Sequence, residues 1–224
     1  MRFRNMSLAV IALFMLGWFA FSMVGDDPCL DPEAQAVIVA AQQGLGGLVE
    51  AIPPSDLSLF GFKTLEEATQ ATFGQPLRIH KITPANMNIY PNVKNAADLV
   101  TPTDEWFIPL LVKGDYRLLM KVSLIDGAWK AVGLTGRRIA GEIGEFYSRW
   151  PAESIAAGLP ENTKVTFVQI VQAHADLLLV QGAGRVYFYP FSTARLAMRS
   201  EEKGLLIPEL VLPQLKMVVV MNTR

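Results

Sequence analysis

The strand-to-helix junction that begins at Gly133 contains the chain's most suggestive chemistry. Gly133, Thr135 and Gly136 follow an apolar run typical of a strand, and Arg137 and Arg138 open a segment with helical periodicity. A helix N-terminus presents free backbone N–H groups and the positive end of the helix dipole, a combination that binds phosphates and carboxylates. We therefore predict a candidate anion-binding site at Thr135, Gly136, Arg137 and Arg138.

A purely structural corner is the alternative interpretation of the same residues. Their glycine spacing matches neither the dinucleotide-binding fingerprint nor the phosphate-binding loop. Thr135 is placed to cap the helix with its hydroxyl, and Glu142 and Glu145 lie at helical spacings from the two arginines. The partners of Arg137 and Arg138 distinguish the two interpretations.

Other residues capable of chemistry are few, and they are scattered. His80 alternates with Arg78 and is expected on a solvated sheet face, whereas His174 is expected in a surface turn, where Asp176 is close enough in sequence to orient its ring. The chain has no HxH, HExxH or CxxC motif, no cluster of acidic residues and no GxSxG elbow. We therefore predict no metal and no cofactor, and we do not favour catalysis.

Residues 1–25 have the pattern of an export signal. Arg2 and Arg4 precede an uncharged apolar run over residues 6–25. A positive start followed by such a run predicts a signal peptide, with cleavage after Ser22. The alternative is an uncleaved membrane anchor, because about 20 apolar residues span a bilayer. Both interpretations place the rest of the chain outside the cytoplasm.

Residues 26–224 are expected to form a single extracytoplasmic domain. A chain of this length buries enough surface to fold without a disulfide. Because Cys29 is the only cysteine, any disulfide bond would have to be intermolecular. The 20 basic and 21 acidic residues give a formal net charge of −1 without a basic run, which argues against nucleic acid as a partner. The expected partner is a protein or small molecule of the cell envelope. Membrane contact is expected only through the N-terminal segment, if it is uncleaved.

Hydrophobic periodicity predicts an α+β fold, with a mainly antiparallel sheet and amphipathic helices packed on one face. The expected helices cover residues 31–52, 64–74, 137–150 and 192–198. The expected strands cover residues 77–83, 86–90, 106–112, 116–125, 128–134, 164–172, 177–181, 185–190 and 217–221. Asp126 and Gly127 predict a two-residue hairpin turn with Trp129 opposite Leu124.

Neighbouring aromatic residues such as Tyr187 and Phe188 must point to opposite faces of a strand. The second aromatic face is explained either by covering helices or by a surface for a partner or ligand. The expected function is that of an exported bacterial envelope protein, a non-catalytic binding or interaction module that uses a sheet face or edge. One alternative is an enzyme acting on an anionic substrate near Arg137 and Arg138, and another is a protease-inhibitor or chaperone-like module with a free strand edge.

Overall fold

Six α-helices and eight β-strands are present in the computed structural model, which describes residues 31–160 and 162–223. The helices are α1 (Pro32–Glu50), α2 (Leu65–Thr69), α3 (Pro84–Ile89), α4 (Arg137–Ala157), α5 (Ser192–Met198) and α6 (Pro208–Asn222). The strands are β1 (Thr72–Phe73), β2 (Leu77–Lys81), β3 (Thr101–Val112), β4 (Asp115–Ile125), β5 (Ala128–Thr135), β6 (Lys164–Ile170), β7 (Ala175–Gly182) and β8 (Arg185–Pro190). The predicted signal or anchor segment, residues 1–25, and Cys29 lie outside the described residues.

The strands form one sheet in the order β5-β4-β3-β2-β6-β7-β8, and the short β1 also pairs with β3. Every pairing is antiparallel except that of β2 with β6. Two three-stranded meanders, β3-β4-β5 and β6-β7-β8, therefore flank β2. The predicted α+β fold with a mainly antiparallel sheet is confirmed.

The hairpin between β4 and β5 has the predicted turn and register. Asp126 and Gly127 both have positive φ angles, of 53° and 76°, as the two central residues of a tight hairpin turn require. Leu124 pairs with Trp129, as predicted.

Helices cover both faces of the sheet, and not only the one face expected. Tyr189 packs in a core with Ile143 and Phe146 of α4, whereas its neighbour Phe188 packs in a second core with Leu212 of α6. The strand sequence requires this arrangement, because adjacent apolar side chains point in opposite directions and each must be removed from water. Covering helices therefore account for both aromatic faces of β8.

Helix α1 lies against β5, and a glycine allows the close contact. A Cβ atom built at Gly44 would lie only 2.4 Å from the Cβ of Ala131, so any larger side chain would collide with the strand. At the start of the same helix, Glu33 forms an ion pair of 2.7 Å with Arg78 of β2. These contacts fix the helix across the sheet.

Two predicted strands are helical instead. Residues 86–90 lie mostly in α3, whose first turn is capped because Thr83 Oγ1 accepts a hydrogen bond from the backbone N–H of Asn86. Residues 217–221 belong to α6, which is apolar around most of its circumference and therefore lacks a clear helical period. Its start has a recognisable signal, since Pro208 and Glu209 are typical of a first helical turn.

Two predicted helix ends also differ from the structure. Helix α4 continues through Pro151 and ends at Ala157, and the next residue, Gly158, has the left-handed conformation common after a helix. The helix thus tolerates Pro151, although proline has no backbone N–H to donate a hydrogen bond within the helix. Helix α2 ends at Thr69, five residues before the expected end, because the chain then enters β1.

Candidate functional site

The predicted anion-binding residues lie where β5 passes into α4. Thr135 is the last residue of the strand, and Gly136 occupies the N-cap position with a φ of 69°. No side chain caps this helix, so the predicted capping role of Thr135 is wrong. Arg137 donates from Nη1 to the backbone carbonyl of Ser58, at 3.1 Å, in the loop that follows α1.

Arg138 extends toward a different part of the chain. Its side chain is 67% exposed, and its Nε lies 4.0 Å from Glu142 Oε1 on the next turn of α4. The two guanidinium groups thus have different partners, Arg137 in the loop after α1 and Arg138 in α4. Anion binding by Thr135, Gly136, Arg137 and Arg138 stays a prediction.

Glu142 is the centre of a partly buried polar cluster between α4 and α5. Its Oε2 accepts from the backbone N–H of Ser192 at 2.6 Å, and its Oε1 accepts from the Ser192 hydroxyl at 2.5 Å. Arg195 Nη2 lies 3.9 Å from Oε2. Because Ser192 is the first residue of α5, Glu142 acts as the cap of that helix.

Asp176 adds a second carboxylate to this region. Its Oδ1 accepts from Gln169 Nε2, and its Oδ2 accepts from the hydroxyl of Thr193, both at 3.2 Å. Desolvation by burial raises its pKa. Three of the four carboxylate oxygens of Asp176 and Glu142 therefore accept hydrogen bonds from α5, and the fourth accepts from Gln169 of β6, which is a structural use of these groups.

The two histidines have different surroundings. His174 is exposed at a turn with a φ of 49°, as expected. The expectation of a solvated His80 is wrong, because this side chain is only 9% exposed and its Nδ1 lies 3.3 Å from the Arg78 carbonyl. Burial lowers the pKa of His80, and the positive charges of Lys164 and Arg78 lower it further.

A polar groove of about 630 Å³ lies between the β3-β4 turn and α4. Gly144 lets the ring of Tyr116 pack closely on α4 here, since a Cβ at that position would lie 2.9 Å from the ring. The charged side chains along this groove are largely paired within the chain. Arg117 Nη2 lies 3.0 Å from Asp115, and Glu145 lies 2.6 Å from Arg149 at the next turn of the helix.

A second groove, of about 670 Å³, has a different character and is called the α6 groove below. The residues that line it are Tyr90, Pro91, Pro213, Lys216, Met217, Val220 and Met221. It lies between α6 and the segment that follows α3. Lys216 joins its two walls, because Nζ donates to the carbonyl oxygens of Asn88, at 3.3 Å, and Tyr90, at 2.5 Å.

The described residues that line the α6 groove are apolar, apart from the cation of Lys216 and the neutral hydroxyl of Tyr90. Met217 and Met221, one helical turn apart, are 63% and 65% exposed. Burial and the nearby Glu209 raise the pKa of Tyr90, so its hydroxyl is uncharged at neutral pH. Among the described residues, no carboxylate lies within 4.0 Å of Lys216 Nζ. No sequence pattern predicts this groove, because the apolar residues 217–221 have the composition of a strand.

The described residues contain no group of three or more His, Cys, Asp or Glu side chains that could hold a metal ion. None of the helices in residues 31–160 and 162–223 has both the length and the apolar character needed to cross a bilayer. No protein-family model, curated protein or solved structure matches this chain.

Proposed function

We propose that the protein is a non-catalytic binding module that acts outside the cytoplasm, and that the α6 groove receives the apolar part of its ligand. One observation carries this proposal, namely two exposed methionines, Met217 and Met221, in the wall of an apolar groove. Binding sites for small molecules are typically concave and mostly apolar, with a few polar groups that fix orientation. The α6 groove has this composition, and its volume of about 670 Å³ lies in the usual range.

The shape and chemistry of the walls support binding of an apolar group. Pro91 and Pro213 contribute rigid rings, and the methionine side chains are flexible and polarizable enough to adapt to different shapes. A ligand that covers Met217 and Met221 would remove apolar surface from water, which stabilises the complex by about 25 cal/mol for each Å² buried. This gain is the expected driving force for association.

A non-catalytic role is supported by how the polar side chains are used. Lys216 donates to two backbone carbonyls and the hydroxyl of Tyr90 stays protonated, so the described residues of the groove include no base poised to accept a proton. Elsewhere, Glu142 and Asp176 cap and fasten α5.

The α6 groove is favoured over a sheet edge as the binding surface. The edge strand β5 carries Lys130 and an extra residue, Val132, at a break in its register with β4. Lysines and bulges are features by which edge strands avoid pairing with other chains. At the opposite edge, Phe188 of β8 already pairs with Leu206. The expected use of a sheet face is likewise less favoured, because helices cover both faces.

Fluorescence titration with N-phenyl-1-naphthylamine, an uncharged apolar probe, tests this proposal. We expect saturable binding to the wild type, and at least a tenfold loss of affinity in Met217→Asp and Met221→Asp, because a carboxylate in the groove must be desolvated. Leu196→Asp is the matched control, since Leu196 lies on α5, is 81% exposed and does not line the groove. Equal binding by all variants, or no saturable binding by the wild type, would contradict the proposal.

A further inference from the structure

We infer that the ligand of the α6 groove is an anionic amphiphile of the long-chain carboxylate class, with its carboxylate at Lys216 and its methylene chain along Met217 and Met221. This inference rests on the proposed function, because it assigns the chemistry of a ligand to the same groove.

Charge complementarity is the first argument. Among the described residues, Lys216 is the only charged one that lines the groove, and no carboxylate lies within ion-pair distance of its ammonium. A lysine ammonium has three N–H donors. Two of them point to the carbonyl oxygens of Asn88 and Tyr90, which leaves one donor for an incoming anion. A single carboxylate satisfies this donor and compensates the charge.

The apolar walls are the second argument. Beyond the Lys216 ammonium and the Tyr90 hydroxyl, the lining side chains of Pro91, Pro213, Met217, Val220 and Met221 offer no hydrogen-bond donors. A peptide or a sugar would leave several of its polar groups without partners in the groove, and burying such groups is costly. A methylene chain has no polar groups, so it can pack against the apolar walls while the carboxylate binds Lys216.

Competition of fatty acids with N-phenyl-1-naphthylamine tests the inference, at concentrations below micelle formation. We expect laurate to displace the probe, and affinity to rise about fourfold for each added methylene between octanoate and laurate. Dodecanol has the same chain without the charge and is expected to bind about tenfold more weakly than laurate. These differences separate recognition of the carboxylate from general apolar binding.

Variants of Lys216 assign the position of the carboxylate. Lys216→Met is expected to lower affinity for laurate about tenfold more than it lowers affinity for the uncharged probe, whose own binding reports any loss of the two hydrogen bonds that join the groove walls. Lys216→Arg keeps the positive charge and is expected to retain most of the laurate affinity. If Lys216→Met fails to bind the uncharged probe, the comparison of laurate with dodecanol on the wild type decides the matter.

The outcomes distinguish this inference from the proposed function. Equal affinity for laurate and dodecanol overturns the carboxylate assignment but not the proposed binding function. The same holds if a Lys216→Met variant that binds the uncharged probe also binds laurate with unchanged affinity. Failure of every apolar compound to bind overturns both. Sedimentation that shows a wild-type dimer lost in Met217→Asp overturns the inference as well, because a second copy then occupies the groove.

Discussion

Glu142 of α4 accepts two hydrogen bonds from Ser192 of α5, one from the backbone N–H at 2.6 Å and one from the hydroxyl at 2.5 Å. The N-cap residue of α5, Phe191, has no side-chain oxygen, so the cap comes from another element. Residues of α4 and α5 belong to the cores on opposite faces of the sheet. This contact therefore fastens the two helical layers to each other.

Removal of this cap is expected to destabilise the protein. Glu142→Ala leaves the first N–H of α5 and the Ser192 hydroxyl without their partner, which lowers the free energy of unfolding by about 1–2 kcal/mol. Glu145→Ala is the control, because its ion pair with Arg149 is largely exposed and contributes little. Urea unfolding of the two variants measures the difference, and equal stabilities would contradict the capping role.

Gly44 is expected to be far less tolerant of substitution than its neighbour Gly46. A methyl group at Gly44 would lie 2.4 Å from the Cβ of Ala131, so Gly44→Ala should destabilise the fold by about 1–3 kcal/mol. A Cβ at Gly46 meets nothing within 4 Å, so Gly46→Ala should instead stabilise α1 by roughly 0.5–1 kcal/mol. Thermal unfolding measures both changes in stability. A stabilising Gly44→Ala would show that α1 does not lie so close to β5.

The buried His80 is expected to make stability depend on pH. Its folded-state pKa is lowered by burial from an ordinary value of 6.5, so the unfolded chain binds the proton more readily. Above the pKa that His80 has in the unfolded chain, the ring is neutral in both states and the folded protein keeps its full stability. As the pH falls below that pKa, the unfolded chain takes up the proton first, and the free energy of unfolding decreases. Urea unfolding between about pH 7.5 and pH 5 should therefore show a steeper loss in the wild type than in His80→Gln.

His174→Gln is the matched control for this measurement, because His174 is exposed. Its stability is expected to follow the wild-type dependence on pH. A His80→Gln variant with the same slope as the wild type would show that His80 does not titrate differently in the folded state.

Local sequence patterns predicted the parts of the fold that local interactions determine. The turn at Asp126 and Gly127 requires positive φ angles, which these residue types accept, and the register of Leu124 with Trp129 follows from a two-residue turn. The α+β class follows similarly from the order of the periodic segments. The sheet order, with β2 beside β6, depends on contacts between distant segments and carried no local signal.

Helix α6 was mispredicted because tertiary packing determines it. Buried residues such as Leu212 and Leu215 lie among apolar residues that face solvent, including Met217, so the pattern had no polar face from which to read a period. The candidate groove was missed for the same reason. The carboxylate partner of Arg138 was anticipated from helical spacing, whereas the bond of Glu142 to Ser192 joins residues 50 positions apart.

The most direct test of the binding proposal is an NMR titration of protein carrying isotope-labelled methionine ε-methyl groups, with laurate as the ligand. We expect the signals of Met217 and Met221 to shift together and saturably, because both lie in the wall of the groove. The signal of Met120, fully buried in β4, should not move. Saturable shifts that spare Met217 and Met221, or no saturable shifts at all, would contradict binding in the α6 groove.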